Sequence, residues 1–246
     1  MEEEVKKLTK LFQNIKSKGW IECHFKGDGQ CGRLFEELIG NSENSFEIPD
    51  FYGIEIKTKQ SSKEKYVTLF SYTPEGKYIL EAERIKNTYG YPDKEYPMFN
   101  VLNASIYNNM TTIIGNKFIF FPTIDELNKK IILKIYDMNL NLLEDEIHWD
   151  FNVIYEKLLR KLTYLAFIDA ERKYNNGKVY YRYNEIKFYK LKSINNFINA
   201  FKICKIRITF KLNIYKYGSK KGKIHDHGTS FDLRIDKNGL LYNEIK

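Results

Sequence analysis

Residues 50–57, Asp-Phe-Tyr-Gly-Ile-Glu-Ile-Lys, put two acids and a lysine on one short apolar segment, with no histidine or cysteine among them. Side chains of a strand alternate between its two faces. Read as a strand, the segment sends Ile54 and Ile56 one way and Glu55 and Lys57 the other, while Asp50 enters from the preceding turn. Two carboxylates and an ammonium on one spot suit Mg²⁺-dependent phosphodiester hydrolysis. The carboxylates hold a hard cation through oxygen. The lysine orients or activates the attacking water and offsets phosphate charge. The same three residues also fit a solvated strand face, so the triplet needs independent company.

Composition is compatible with that chemistry. The chain has 246 residues, enough for one large domain or two modest lobes, and a core of this size needs no disulfide staples. Forty Lys and Arg against 32 Asp and Glu leave a net charge of +8, which favours a polyanionic partner and equally suits a Lys-rich proteome. The three cysteines, Cys23, Cys31 and Cys204, are odd in number and lack metal spacing. They read as reduced thiols of a cytosolic protein. No apolar run approaches the roughly 20 residues of a membrane span, and the acidic start Met-Glu-Glu-Glu-Val is not a signal peptide. A bacterial cytoplasmic location follows as the expectation.

Along the chain, residues 2–18 predict an amphipathic helix through Val5, Leu8, Leu11, Phe12 and Ile15, stopped at Gly19. A glycine-rich turn at 27–32 leads into a short helix at 33–40, and polar residues 41–47 form a loop before the Asp50 strand. Strand character is expected at 66–70 and a helix at 78–88. The Asn-rich stretch 92–116 is expected to be a mobile or DNA-facing connection. Strands follow at 117–122 and 130–136, a helix at 151–162, strands at 164–169 and 179–183, a helix at 193–203, and strands at 205–215 and 229–235. The pattern is mixed α/β, and two lobes around a cleft are expected. Residues 1–95 would form a catalytic lobe and residues 96–246 a DNA-recognition lobe, with the boundary open to part of the second segment completing the catalytic core.

Three patches in order make the pattern specific. They are Gly32-Arg33-Leu34-Phe35-Glu36, then Pro49-Asp50 through Lys57-Thr58 with Thr68-Leu69-Phe70 and Pro74, and finally Lys220-Lys221-Gly222-Lys223-Ile224-His225-Asp226-His227-Gly228-Thr229-Ser230-Phe231. Pro49-Asp50 with Glu55-x-Lys57 resembles the PD-(D/E)XK nuclease signature. The order and spacing of all three resemble the MvaI/BcnI group of type II restriction endonucleases, relatives of the mismatch-repair nickase MutH. The resemblance runs along nearly the whole chain, is strong at 32–58 and 215–231, and is loose between 92 and 150.

That resemblance implies a restriction-endonuclease-like mixed sheet with flanking helices, two lobes around a DNA cleft, and Mg²⁺ as cofactor. It implies that Asp50 and Glu55 hold the metal together with the Ile56 carbonyl, that Lys57 is the catalytic lysine, and that Glu36 is an accessory acid. Glu36 also fits an ordinary helix-face glutamate. Members of the group cut duplex DNA at short CC-N-GG-type sites and act as monomers. A cognate DNA methyltransferase is then expected as a genetic neighbour.

His225 and His227 invite a zinc reading, but a four-ligand site would need help from far away in the chain. Amid Lys220, Lys221 and Lys223, they read better as DNA contacts, the lysines on phosphates and the histidines at base edges. A basic surface hairpin without a role stays open. Asp226, Thr229 and Ser230 join the candidate contacts. Lys211, on the strand leading into the loop, matches a base-reading position. The family pattern expects an arginine after Phe231, and this chain has Asp232-Leu233-Arg234. Either Arg234 takes that role two residues on, on the same strand face, or Asp232 accepts a hydrogen bond from a cytosine amino group. Two other functions fit the same residues: a repair-type nicking enzyme, and a sequence-specific DNA-binding protein without catalysis.

Overall fold

The computed structural model describes residues 1–27, 29–40, 48–60, 65–221 and 223–245, and of Ile224, Asp226 and His227 the backbone alone. The loop expected at 41–47 lies outside these residues. The chain divides into two compact units. One comprises Met1–Val67, Lys157–Ser193 and Ile235–Lys246, and the other Thr68–Glu156 and Ile194–Arg234. The residue pattern predicts one boundary, between residues 95 and 96. The observed division is interleaved, because strands distant in sequence pair with one another in the first unit.

The first unit begins with α1 (Glu2–Ser17), β1 (Ile21–Cys23), α2 (Gln30–Leu38) and β2 (Glu55–Gln60). Leu8, Phe12 and Ile15 form the buried stripe of α1, and Glu2, Glu3 and Glu4 occupy its first turn, where negative charge suits the helix dipole. Gly29 precedes α2 in the left-handed region at φ 78°, a conformation that glycine adopts without penalty. Cys31, Leu34 and Phe35 of α2 enter the core.

The chain then crosses into the second unit along β3 (Tyr66–Ser71), followed by α3 (Glu81–Tyr89), β4 (Tyr91–Pro92), β5 (Asn100–Ile106), β6 (Thr112–Ile114), β7 (Phe118–Asp125), β8 (Lys130–Asp137) and β9 (Leu142–Asp150). It returns through α4 (Phe151–Leu162) to β10 (Tyr164–Asn175) and β11 (Lys178–Leu191) of the first unit. It revisits the second with α5 (Ile194–Lys202), β12 (Ile206–Ile214) and β13 (Ile224–Arg234), and ends in the first with α6 (Asn238–Leu241) and β14 (Tyr242–Ile245).

The first unit's sheet has the order β1-β11-β10-β2, with β14 also on β11. β10 and β11 are antiparallel, whereas β2 runs parallel to β10 and sets Glu55 against Leu165 and Lys57 against Phe167. A parallel neighbour needs a long crossover, which here is the whole excursion through the second unit. Ile54 and Ile56 join Ala166, Ile168, Tyr181 and Tyr183 in one core with α1 and α2. The Tyr183 hydroxyl donates to the Cys31 carbonyl at 2.8 Å, so the buried phenol is satisfied.

The second unit carries two sheets, ordered β3-β13-β12-β5-β4 and β6-β7-β8-β9. β12 alternates without a break: Ile206, Ile208, Phe210, Leu212 and Ile214 are buried, and the residues between them are not. Aromatic rings fill the centre. Trp149 packs edge-on to Phe231 at 6.0 Å between centroids, and its indole N–H donates to the Tyr72 carbonyl at 3.0 Å.

The stretch 92–116 is not a connection. It supplies β5 and β6, and Val101, Leu102, Ile106 and Ile114 are buried there. Its asparagines mislead because β5 is half exposed and polar residues occupy the open face. β9 had no sequence signal, since Leu142-Leu143-Glu144-Asp145-Glu146 is acidic and, apart from the half-buried Glu144, exposed until Ile147 and Trp149 turn inward.

Gly90 joins α3 to β4 where backbone crowds backbone. A Cβ there would lie 2.3 Å from the Lys86 carbonyl oxygen and 2.6 Å from that of Val101. Gly90→Ala is expected to destabilise the protein by about 3 kcal/mol, the upper part of the usual overpacking range. Urea denaturation of the two proteins measures it, with the shift appearing in the midpoint and not the slope.

Candidate active site

Asp50, Glu55 and Lys57 come together in the first unit. Between Asp50 and β2 the chain makes a two-residue turn. Phe51 and Ile54 exchange both backbone hydrogen bonds, at 2.9 and 2.8 Å, and Tyr52 and Gly53 between them have φ of 42° and 88°. Positive φ at both central positions is the tight-hairpin geometry, which favours glycine. This turn folds Asp50 back on the strand, and its Oδ2 accepts the Ile56 N–H at 2.8 Å.

Glu55 is 1% exposed, an extreme position for a carboxylate. Lys57 Nζ lies 2.6 Å from its Oε1, as expected for residues two apart on one face of a strand. Burial pushes the Glu55 carboxyl up from the usual range, Lys57 pulls it back, and the nearby Asp50 charge adds to the rise. Tyr242 stands close enough that burial and the Glu55 charge hold its hydroxyl neutral.

Glu55 Oε2 is enclosed and accepts no hydrogen bond among the described residues. A buried carboxylate oxygen without a donor leaves desolvation uncompensated, and a cation repairs that. The donors at hand are oxygens: Asp50, Glu55 and the carbonyl of Ile56 between Glu55 and Lys57. That set fits a hard divalent ion. Glu36 folds back along α2 toward β2. A Cβ on Gly32 would meet Thr58 Oγ1 at 3.3 Å and Glu36 Oε1 at 3.7 Å. Among the described residues no cluster of three or more His, Cys, Asp or Glu forms.

One residue of this site was missed. Lys161 of α4 places its Nζ 3.4 Å from Glu55 Oε1. On the sequence it is one of several helix-face cations, next to Lys157 and Arg160, and nothing distinguishes it. Only strand order does: α4 runs directly into β10, where Leu165 stands opposite Glu55.

In the second unit, the candidate DNA contacts sort by exposure. Lys220, Lys221 and Lys223 are exposed on the loop joining β12 to β13. The Tyr215 N–H donates to the Lys223 carbonyl at 2.7 Å and closes that loop. The His225 ring stacks on Tyr215 at 3.7 Å, nearly parallel at 8°, and Lys220 lies over the same tyrosine at 5.5 Å. The side chains of Asp226 and His227 lie outside the described residues. Lys211 stands on the half-exposed face of β12 opposite Asn103 of β5, and Arg234 is exposed at the end of β13. Thr229 and Ser230 are buried, at 0% and 1%, so the structure does not set them out as contacts to phosphates or bases. A polar row around Lys211 was missed: Arg207, Thr209 and Asn213 on β12 with Asn103 and Ser105 on β5. The carboxamides of Asn103 and Asn213 donate to each other reciprocally, at 2.6 and 2.9 Å.

The family model for the MvaI/BcnI restriction endonuclease family matches residues 9–242. The chain belongs to this family. The endonuclease is similar to two solved structures, each spanning all of this chain and 98% of the other. A restriction endonuclease MvaI–cognate DNA substrate complex is 29% identical with a TM-score of 0.93. Restriction endonuclease MvaI in the absence of DNA is 28% identical with a TM-score of 0.62. No curated protein matches the sequence. Family and fold together make the chain a type II site-specific endonuclease with a restriction-endonuclease-like α/β fold.

Asp232 of the endonuclease is not a surface base reader. It is 3% exposed and accepts hydrogen bonds from Thr209 at 2.7 Å, Thr68 at 2.9 Å, Ser230 at 2.9 Å and Arg207 at 3.2 Å. These tie β3, β12 and β13 together. Burial alone would raise its carboxyl, but the hydrogen bonds and the Lys211 charge outweigh it and hold the group below the usual range. A depressed carboxyl contributes stability above its unfolded value and loses it as pH falls through the folded one. Asp232→Asn is therefore expected to cost about 2 kcal/mol at neutral pH. The difference should shrink as pH falls through the folded-state value of Asp232, which lies below the ordinary aspartate value of about 3.9. Denaturation curves of the pair at neutral pH and through the acid range check both statements.

Proposed function

We propose that this endonuclease hydrolyses phosphodiester bonds of duplex DNA with Mg²⁺, as a monomer, at a short CC-N-GG-type site, leaving 5′-phosphates. The observation that carries this reading is the buried Glu55 carboxylate, paired with Lys57 through one oxygen and unpartnered at the other, beside Asp50. Asp50, Glu55 and the Ile56 carbonyl would hold the cation, and Glu36 would be the accessory acid. Bound there, the ion would polarise the scissile phosphate and make water a stronger nucleophile. Lys57 orients the attacking water and offsets phosphate charge. Burial of Glu55 itself strengthens its charge interactions with the cation and the lysines.

Sequence would be read by the second unit. Lys220, Lys221 and Lys223 would sit on phosphates, and His225 and His227, with Lys211 and Arg234, at base edges. Asn103 and Asn213 add donors and acceptors on the same row as Lys211. A bacterial cytoplasmic enzyme with a methyltransferase gene beside it fits this function. Among the described residues no helix is long and apolar enough to cross a membrane.

Asp50→Asn and Glu55→Gln should abolish plasmid cleavage in Mg²⁺ while keeping specific duplex binding in Ca²⁺, because loss of a carboxylate weakens cation capture and reduces negative charge next to the phosphates. Cleavage within about tenfold of wild type would remove these residues from the chemistry. On a supercoiled plasmid with one site, the wild-type enzyme should pass through an open-circle intermediate, since one active site cuts one strand at a time. Linear product without a nicked stage, together with a dimer in sedimentation, would sink the monomer reading.

A further inference from the structure

We propose that Lys161 is a positioning residue that holds the Glu55 carboxylate while Lys57 leaves it for the reacting phosphate. The inference rests on the nuclease reading above and adds a residue that the PD-(D/E)XK pattern does not contain.

Lys57 faces two demands. Its ammonium is 2.6 Å from Glu55 Oε1, yet orienting water or offsetting phosphate charge requires it to reach beyond the carboxylate. β2 cannot slide to help, because Ile54 and Ile56 are locked in the core at 1% and 4% exposure. Departure of Lys57 alone would leave the buried Oε1 without a partner, a costly state for a carboxylate oxygen even with a cation held at Oε2.

Lys161 removes that obstacle. It meets the same oxygen, Oε1, from another element, at 3.4 Å. By the inverse dependence on distance, it supplies about three-quarters of the attraction that Lys57 does. Its anchor is rigid: Leu158 and Leu162 on either side are fully buried. The chain then enters β10, whose Leu165 is registered against Glu55 itself. The side chain is 31% exposed against 23% for Lys57, so neither ammonium is fixed by enclosure. Both lysines occupy Oε1, and Oε2 keeps no hydrogen-bond partner among the described residues. Lys161 can therefore hold Glu55 without taking the oxygen that would bind the cation.

The arrangement makes an unusual demand on a variant. A positive charge beside Glu55 opposes a second one arriving there. Deleting the Lys161 charge should strengthen cation binding while it slows the reaction, because Lys57 becomes the sole partner of Oε1 and stays on it. A residue that only supports the local structure would weaken both.

The test uses the full-length enzyme and its Lys161→Gln and Lys161→Arg variants. Calorimetry with Ca²⁺ alone, in the absence of DNA, gives cation affinity. Single-turnover nicking of a supercoiled plasmid at saturating Mg²⁺ gives the rate. For Lys161→Gln, the expected results are a rate lower by about ten- to hundredfold and Ca²⁺ affinity equal to wild type or severalfold tighter, with Lys161→Arg restoring most of the rate. A Lys161→Gln rate within about twofold of wild type, or rate and affinity falling together, overturns the proposal. If the wild-type enzyme neither binds Ca²⁺ nor nicks DNA, the nuclease reading of the site fails first, and this inference with it.

Discussion

The register of β2 against β10 is the constraint on which the candidate active site depends. Leu165 stands opposite Glu55 and Phe167 opposite Lys57 in a parallel pair. Side chains alternate along a strand, so a slip of one residue would send Glu55 into the core and Ile56 outward. Ile54 and Ile56 prevent that slip, because exposing either would forfeit about 2 kcal/mol of buried apolar surface. The same pairing brings the end of α4, and with it Lys161, to the carboxylate. A short apolar pair thus holds a buried acid that would otherwise be unstable in that place.

The buried acids in the two units are treated in opposite ways. Asp232 accepts hydrogen bonds from four side chains and is held below the usual carboxylate range. Glu55 keeps one oxygen unpartnered and is pushed above that range. A saturated carboxylate ties strands together, and an unsaturated one remains ready to bind. The difference follows from neighbours: Thr68, Thr209, Ser230 and Arg207 surround the first, whereas two lysines share a single oxygen of the second.

Much of this was legible from residue order. The helix at the N-terminus, the helix at 151–162, the alternation of β12 and the meeting of Asp50 with Glu55 and Lys57 all follow from apolar spacing and one glycine-containing turn. The stretch 92–116 was not legible, because half-exposed strands carry polar residues that local patterning cannot tell from a loop. The partition into units was not legible either. It depends on which strands pair across more than a hundred residues, and pairing of that range leaves no mark in local composition.

The sequence by itself determined which side chains share a strand face, since alternation is a property of the extended backbone. It therefore determined that Glu55 and Lys57 lie together and that Ile54 and Ile56 oppose them. Only the tertiary structure decided how deeply each group is buried and what it meets across elements. Thr229, Ser230 and Asp232 look like surface donors and acceptors beside a basic loop, yet they are interior because β13 is flanked by β3 and β12. Lys161 looks like a solvent-facing helix cation, yet it stands at the carboxylate because α4 feeds the strand beside β2. Burial and cross-element contact arise from the packing of distant segments, and that information does not reside in any one of them.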